Sequence, residues 1–154
     1  MKKLAPVKNI KINKVINEIL DYFNDFSFEN GGALGIKDNV ISSFYPVKNI
    51  DSDRRAYSPS FDDLNAALEY FESNGMSFAG IIHSHNISVH GNGCNNPSKQ
   101  DIDFYRNFAE TNSDFAPLLF PIITIIKGEK TITWYQWAGE LTQIDVDDIK
   151  NTEH

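Results

Sequence analysis

The sequence predicts a mixed α/β (or α+β) fold, in which helices flank one β-sheet within a single domain spanning residues 1–154. Helix-like and strand-like apolar patterns follow one another in the order helix, hairpin, helix, strand, helix, strands. No linker, internal repeat or low-complexity tract separates them. With 154 residues and 41% apolar side chains, the chain can bury one core. The order of the strands in the sheet does not follow from this pattern.

Three segments have the spacing of amphipathic helices. Residues 12–25 repeat apolar side chains at helical intervals. Ser60 is predicted to cap the second helix, with Asp63 three residues later and Gly75 at the end. Residues 98–110 form the third predicted helix.

The other apolar stretches are typical of strands. Residues 31–47 predict a hairpin that turns at Asp38–Asn39. Residues 77–83 are almost continuously apolar, as expected for a strand at the centre of a sheet. Residues 120–144 predict two or three more strands. Their turns are placed at Gly128 and Gly139.

Composition and charge exclude several classes of protein. The net charge of −7 argues against a nucleic-acid partner, which would need a basic surface. The lone Cys94 excludes an intramolecular disulfide. The longest apolar run, residues 116–126, contains two prolines and is too short to cross a bilayer. Lysines interrupt the signal-like N-terminus, so a cytoplasmic protein without membrane contact is expected.

A candidate metal site follows the predicted central strand. His83 and His85 are two residues apart, so their side chains point to the same side of a strand and can converge on one cation. A carboxylate would complete three protein ligands and leave an open position for water, as in catalytic zinc sites. Asp101, in the first turn of the third predicted helix, is the best candidate.

Each of these residues also has an ordinary structural interpretation. Ser98 and Asp101 fit a helix capping box without any metal. Glu29, at a predicted strand start, fits a solvent-facing carboxylate. A loop rich in Gly and Asn carries His90 and Cys94, which could instead close a structural zinc site.

The stretch GIIHSHNISVHGNGCNNPSKQD resembles the signature of the JAMM (MPN) zinc metalloprotease family, in which HxH is followed by a loop and SxxD. The upstream stretch ENGGALGI resembles the E-x-x-G-x-L segment of that family, with Glu29 as the glutamate. The resemblance covers residues from about 12 to about 138 and is strongest to the small stand-alone prokaryotic type. The residues that match the signature are His83, His85, Ser98 and Asp101.

The resemblance implies both a fold and a mechanism. The fold would be the MPN sheet, which is cytidine-deaminase-like. One Zn²⁺ per chain would be bound by His83, His85 and Asp101 and would activate a water molecule. Glu29 would act as general base, and Ser98 would donate a hydrogen bond to the oxyanion.

The resemblance also implies a class of substrate. We expect a peptidase or deubiquitinase-like isopeptidase that acts at the C-terminal tail of a ubiquitin-like protein, either conjugated or as a precursor. The tail could bind as an added strand beside residues 41–47 or at another free edge of the sheet. In bacteria such proteins accompany ubiquitin-like conjugation machinery, some of it in antiviral operons, or sulfur-carrier processing. Ubiquitin-like activating or conjugating enzymes are therefore expected partners.

Two departures from the family pattern concern the loop. Asn86 stands where the family usually has proline, and the twelve-residue loop 86–97 is longer than the common spacing. Two other functions remain as alternatives. One is a catalytically silent MPN-like interaction module, which would characteristically have lost ligands that this chain retains. The other is a DNA-repair-associated relative, against which the acidic charge argues.

Overall fold

The computed structural model describes residues 7–51, 56–87, 92–112 and 117–149. The helices in these ranges are α1 (Val15–Tyr22), α2 (Phe61–Ser73) and α3 (Lys99–Thr111). The first strands are β1 (Lys11–Ile12), β2 (Gly31–Lys37), β3 (Val40–Val47) and β4 (Ser77–Ser84). The later strands are β5 (Leu118–Leu119), β6 (Ile122–Ile126), β7 (Glu129–Trp137), β8 (Leu141–Ile144) and β9 (Asp147–Asp148).

All nine strands of the described ranges belong to one mixed sheet. Strand β4 lies in the middle, antiparallel to β2 on one side and parallel to β6 on the other. Strand β3 continues the sheet beyond β2, and β7 continues it beyond β6. The predicted mixed sheet, with the 77–83 strand at its centre, is confirmed.

Local hydrogen bonds explain where the helices begin. The Ser60 side chain accepts a hydrogen bond from the Asp63 backbone N–H, at 3.2 Å, and caps α2 as predicted. Helix α1 is shorter than the predicted 12–25. Lys11 and Ile12 pair with β3 and β9, and the Asn13 side chain accepts the Val15 N–H at 2.9 Å where the helix begins.

The β2–β3 hairpin turns where the sequence predicts. Asp38 and Asn39 have φ angles of 52° and 64°, as a two-residue type I′ turn requires. Strands β6, β7 and β8 also correspond to the predicted C-terminal strands. The two-residue strands β1, β5 and β9 were not predicted, because two residues are too few to show an alternating pattern.

The helices cover both faces of the sheet. Helix α1 packs on one face with residues such as Ile19, Phe23 and Ile82. Helices α2 and α3 pack on the other with residues such as Phe71, Ile81 and Tyr105. Because Ile81 and Ile82 face opposite layers, the side chain two residues beyond Ile81 points toward α2 and α3. That residue is His83.

None of the three helices in the described part of the chain has the length and apolar character that a membrane crossing requires.

Candidate metal centre

His83 is buried at the C-terminal end of β4. Only 3% of the residue is exposed, and its ring stacks on Tyr57 with centroids 5.6 Å apart and an interplanar angle of 8°. Gly31 makes room for this stack, since a Cβ there would lie 2.3 Å from the Tyr57 ring. Ser84 points the opposite way and its side chain accepts the Asn30 N–H at 2.9 Å.

The register of β2 against β4 brings Glu29 to His83. Gly31 pairs with His83, and the Ser84 N–H donates to the Asn30 carbonyl at 2.8 Å. Glu29 therefore ends 3.9 Å from His83, measured between Oε1 and Nε2. Glu29 is 9% exposed, so it is a buried carboxylate at the site and not a solvent-facing one.

Asp101 reaches the histidines from the first turn of α3. Its Oδ1 lies 3.5 Å from His83 Nε2, and its Oδ2 lies 2.9 Å from His85 Nε2. The capping box is also present. The Ser98 side chain accepts the Asp101 N–H at 3.0 Å, and Asp101 Oδ2 accepts the Ser98 N–H at 2.9 Å. One carboxylate thus faces both the helix end and the imidazoles.

The residues present fit a metal ion. One ligand atom from each of Glu29, His83, His85 and Asp101 lies within 4.8 Å of the others. The buried His83 Nε2 has no hydrogen-bond partner among the described residues, and a buried nitrogen without a partner is costly unless something binds it. Two imidazoles with carboxylates suit Zn²⁺ and other first-row divalent ions.

Burial and mutual charge set the protonation of the cluster. Burial raises the pKa of Glu29 to about 7, against the opposing effect of His85. Burial also lowers the pKa of His83. For His85, burial acts to lower the pKa, but Asp101 outweighs it and the net shift is upward. Burial acts to raise the pKa of Asp101, yet the two imidazoles hold it well below its usual range.

An open pocket of about 510 Å³ lies beside the cluster. Ser98 lines it, and because the Ser98 oxygen is the acceptor in the cap, its hydroxyl hydrogen is not used there. Asn86 and Cys94 also line the pocket. Among the described residues, Cys94 is not part of the metal-ligand cluster, and His90 lies outside the described residues.

Two residues that the sequence did not single out support the site. Tyr57 stacks on His83 and donates from its hydroxyl to the Val47 carbonyl at 2.9 Å. The Asn49 side chain donates to the carbonyls of Glu29 and Ala56, both at 2.8 Å. No sequence pattern marks either residue, because Tyr57 contacts His83 and Asn49 contacts Glu29, which are distant from them in sequence.

Comparison with known proteins finds similar solved structures but no similar curated sequence. No protein-family model matches this chain, and no curated protein matches its sequence. Solved structures do match. Protein DSY2949 from Desulfitobacterium hafniense superposes with a TM-score of 0.69 at 19% identity, over 94% of this chain and 96% of that chain. AF2198, a JAB1/MPN domain protein from Archaeoglobus fulgidus, superposes with a TM-score of 0.54 at 16% identity, over 93% and 100%.

These likenesses show an MPN-like fold. Together with the four clustered side chains, they define a mixed α/β protein with a candidate metal centre. The narrower cytidine-deaminase-like relation, the domain bounds 1–154 and the roles of the five site residues stay predictions.

Proposed function

We propose that this chain is a zinc-dependent peptidase or isopeptidase that hydrolyses a ubiquitin-like conjugate or precursor at its C-terminal tail. One observation carries the proposal. A buried glutamate with a raised pKa lies against two histidines and an aspartate that fit a metal, beside an open pocket. The MPN-like fold supports it.

His83, His85 and Asp101 would hold the metal. Asp101 is suited to this because its pKa is low, so it is ionised at neutral pH. When bound, a zinc ion supplies Lewis acidity, which polarises a carbonyl and lowers the pKa of a nearby water from 15.7 to roughly 7. A fourth ligand position would remain for water, since Glu29 is assigned to proton transfer.

Glu29 would take the proton from the attacking water and return it to the leaving amine. A general base works best when its pKa lies near the working pH, and burial places the Glu29 pKa at about 7. Its carboxylate is 3.9 Å from His83, which keeps it close to the metal ligands. Proton transfer of this kind contributes roughly 10²–10⁴-fold to rate.

Ser98 would stabilise the oxyanion that forms when the carbonyl is attacked. Ser98 lines the pocket, and its hydroxyl oxygen is held at the N-terminus of α3 by the bond from the Asp101 N–H. Loss of one such donor typically lowers kcat by about 10²–10³.

The free edge of β3 is the proposed binding site of the substrate tail. Strand β1 covers only Val40 and Ile41, so within the described ranges the rest of β3 has no strand partner on the side away from β2. The far end of this edge leads to the metal centre, because Val47 pairs with Gly31, which pairs with His83. An extended tail can add to such an edge through backbone hydrogen bonds. Activating or conjugating enzymes for that ubiquitin-like protein would be its functional partners.

The test compares bound zinc with hydrolysis in two variants. Asp101→Asn should lose both zinc and turnover. Glu29→Gln should keep zinc and lose turnover by about 10²–10⁴-fold, because the glutamate acts on the proton and not on the metal. Zinc is measured by atomic emission, and turnover on a ubiquitin-like protein that carries a fluorogenic amide at its C-terminus.

Asp103→Asn is the matched control, since Asp103 is on the exposed side of α3 and pairs with Arg106. Full zinc occupancy in Asp101→Asn would reject the ligand set. A wild-type rate in Glu29→Gln would reject the general base. A zinc-loaded wild type that binds the ubiquitin-like protein without cleaving it would favour a silent interaction module.

A further inference from the structure

The second half of the long 86–97 loop is bound to the sheet. We call residues 92–96 the anchored segment. The Gly93 N–H donates to the Ile125 carbonyl at 2.7 Å, and the Tyr135 hydroxyl donates to the Asn95 carbonyl at 3.0 Å. Two further side-chain bonds join Asn92 to the Lys127 N–H and Asn95 to the Thr133 hydroxyl. The segment is therefore fastened to β6, β7 and the turn between them.

Gly93 allows this close approach. A Cβ at Gly93 would lie 1.8 Å from Thr124 Oγ1. Thr124 is fully buried, and its hydroxyl donates to the His85 carbonyl at 2.9 Å. A side chain at position 93 would therefore push the segment outward or break the bond that Thr124 makes to His85.

The anchored segment presents a carbonyl to the His85 ring. The Cys94 oxygen lies 2.7 Å from His85 Nδ1. Because a carbonyl can only accept, Nδ1 must carry a proton. In the neutral imidazole the lone pair then resides on Nε2, which is the nitrogen that faces Asp101.

We propose that the anchored segment is a positioning device for His85, which holds the ring and its tautomer so that Nε2 is presented to a metal ion. Gly93 and Tyr135 are its positioning residues. This inference rests on the proposed metal centre. Hydrogen bonds from a metal-binding histidine to a backbone carbonyl commonly have this effect, and their loss typically weakens metal binding by 10–100-fold.

The same geometry gives the cysteine a backbone role only. The Cys94 thiol is exposed, and its sulfur is not among the clustered ligand atoms of the described residues. Removing the thiol should therefore leave the centre unchanged, whereas moving the backbone should not.

The experiment measures zinc affinity by competition with a chromophoric chelator in two anchor variants. Gly93→Ala should weaken binding by about 10–100-fold. Tyr135→Phe removes one anchoring hydrogen bond and should weaken it by about fivefold. Cys94→Ala and Tyr70→Phe are the controls, and both should stay within about twofold of wild type. Tyr70 is a half-exposed residue of α2, remote in sequence from the segment.

A second readout separates positioning from general stability. Imidazole ¹⁵N NMR of the zinc-loaded wild type should show His85 with Nδ1 protonated and Nε2 metal-bound. In the anchor variants the His85 signals should shift or broaden while those of His83 hold. If Gly93→Ala does not fold, Tyr135→Phe alone decides the question.

Unchanged affinity and unchanged His85 signals in both anchor variants would overturn the inference. So would an unprotonated Nδ1 in the wild type, or loss of zinc in Cys94→Ala. A wild type that binds zinc and hydrolyses nothing would contradict the proposed function alone. A wild type that binds no zinc would overturn both.

Discussion

At the scale of single residues, Asp101 combines two interpretations that the sequence presents as alternatives. Its carboxylate accepts the Ser98 N–H and completes a capping box, and it also lies 2.9 Å from His85 Nε2. A carboxylate has two oxygens and about four acceptor positions, so one group can serve a helix end and a metal. The capping box also holds the Asp101 side chain in the position from which it would bind a metal.

Glu29 predicts a pH-dependent stability for the metal-free protein. Its pKa is raised from 4.5 to about 7, mainly by burial, so folding favours the protonated form. The stability that comes from folding with a neutral Glu29 is fully present below pH 4.5 and is lost as the pH rises through 7. Glu29→Gln stays neutral throughout. The free energy of unfolding of Glu29→Gln, relative to that of wild type, should therefore rise by on the order of 2 kcal/mol from pH 5 to pH 8.

Urea unfolding in EDTA at the two pH values measures this difference. Asp25→Asn, at an exposed aspartate, serves as the control. Parallel pH curves for wild type and Glu29→Gln would show that Glu29 titrates in the folded protein as it does in the unfolded chain.

At the scale of the elements, Asn49 joins the residues just before β2, which include Glu29, to the segment that carries Tyr57. Its amide makes four hydrogen bonds, which use both donors and both acceptor positions. The donated bonds reach Glu29 and Ala56, and the accepted bonds come from Asp51 and Ser58. One side chain therefore holds the backbone of Glu29, the proposed general base, and the backbone on both sides of Tyr57, whose ring stacks on His83.

Asn49→Ala should lower stability by about 1–3 kcal/mol, because the partners lose their bonds and some remain shielded from water. Turnover should also fall, while zinc stays at one ion per chain, since Asn49 does not touch the ligand atoms. Asn49→Asp keeps the accepting oxygen, so its stability and turnover should lie between those of wild type and Asn49→Ala. Thermal unfolding, zinc content and turnover measure these effects.

Asn65→Ala, at an exposed position of α2, is the matched control and should leave all three quantities unchanged. Loss of zinc in Asn49→Ala would mean that the bonds from Asn49 to the 56–58 segment also hold the proposed ligand His83 in place, through the stacked Tyr57 ring.

At the scale of the whole molecule, a metal would connect parts of the chain that are distant in sequence. His83 lies at the end of β4, His85 follows directly after that strand, and Asp101 comes from α3. Because unfolding separates these ligands, zinc should bind the native state far better than the unfolded chain. The expected gain is about 2.7 kcal/mol at a free zinc concentration one hundred times Kd.

Thermal unfolding over a zinc titration measures this gain. The rise in Tm should disappear in Asp101→Asn, and in the wild type it should shrink as the pH falls, because protons compete for the histidine nitrogens. An equal rise in Asp101→Asn would mean that zinc binds elsewhere on the chain.

The sequence predicted the features that depend on neighbouring residues. The cap at Ser60, the turn at Asp38–Asn39 and the buried strand at 77–83 all follow from side chains within a few positions of one another. Helix α1 was predicted too long, since the pairing of Lys11 and Ile12 with β3 and β9 overrides their local pattern. Propensity is weak wherever backbone pairing with a distant strand is available.

The sequence by itself determined the presence of the three helices and the longer strands, the shared direction of His83 and His85 and the cap that holds Asp101, because these depend on short-range backbone geometry. Only the tertiary structure decided that Glu29 lies 3.9 Å from a histidine 54 positions away, since that distance follows from the register of β2 against β4. It also decided that a backbone carbonyl faces His85 and that Tyr57 stacks on His83. Every residue has a carbonyl, and most aromatic rings pack in a core, so only the folded chain selects which of them meet a histidine.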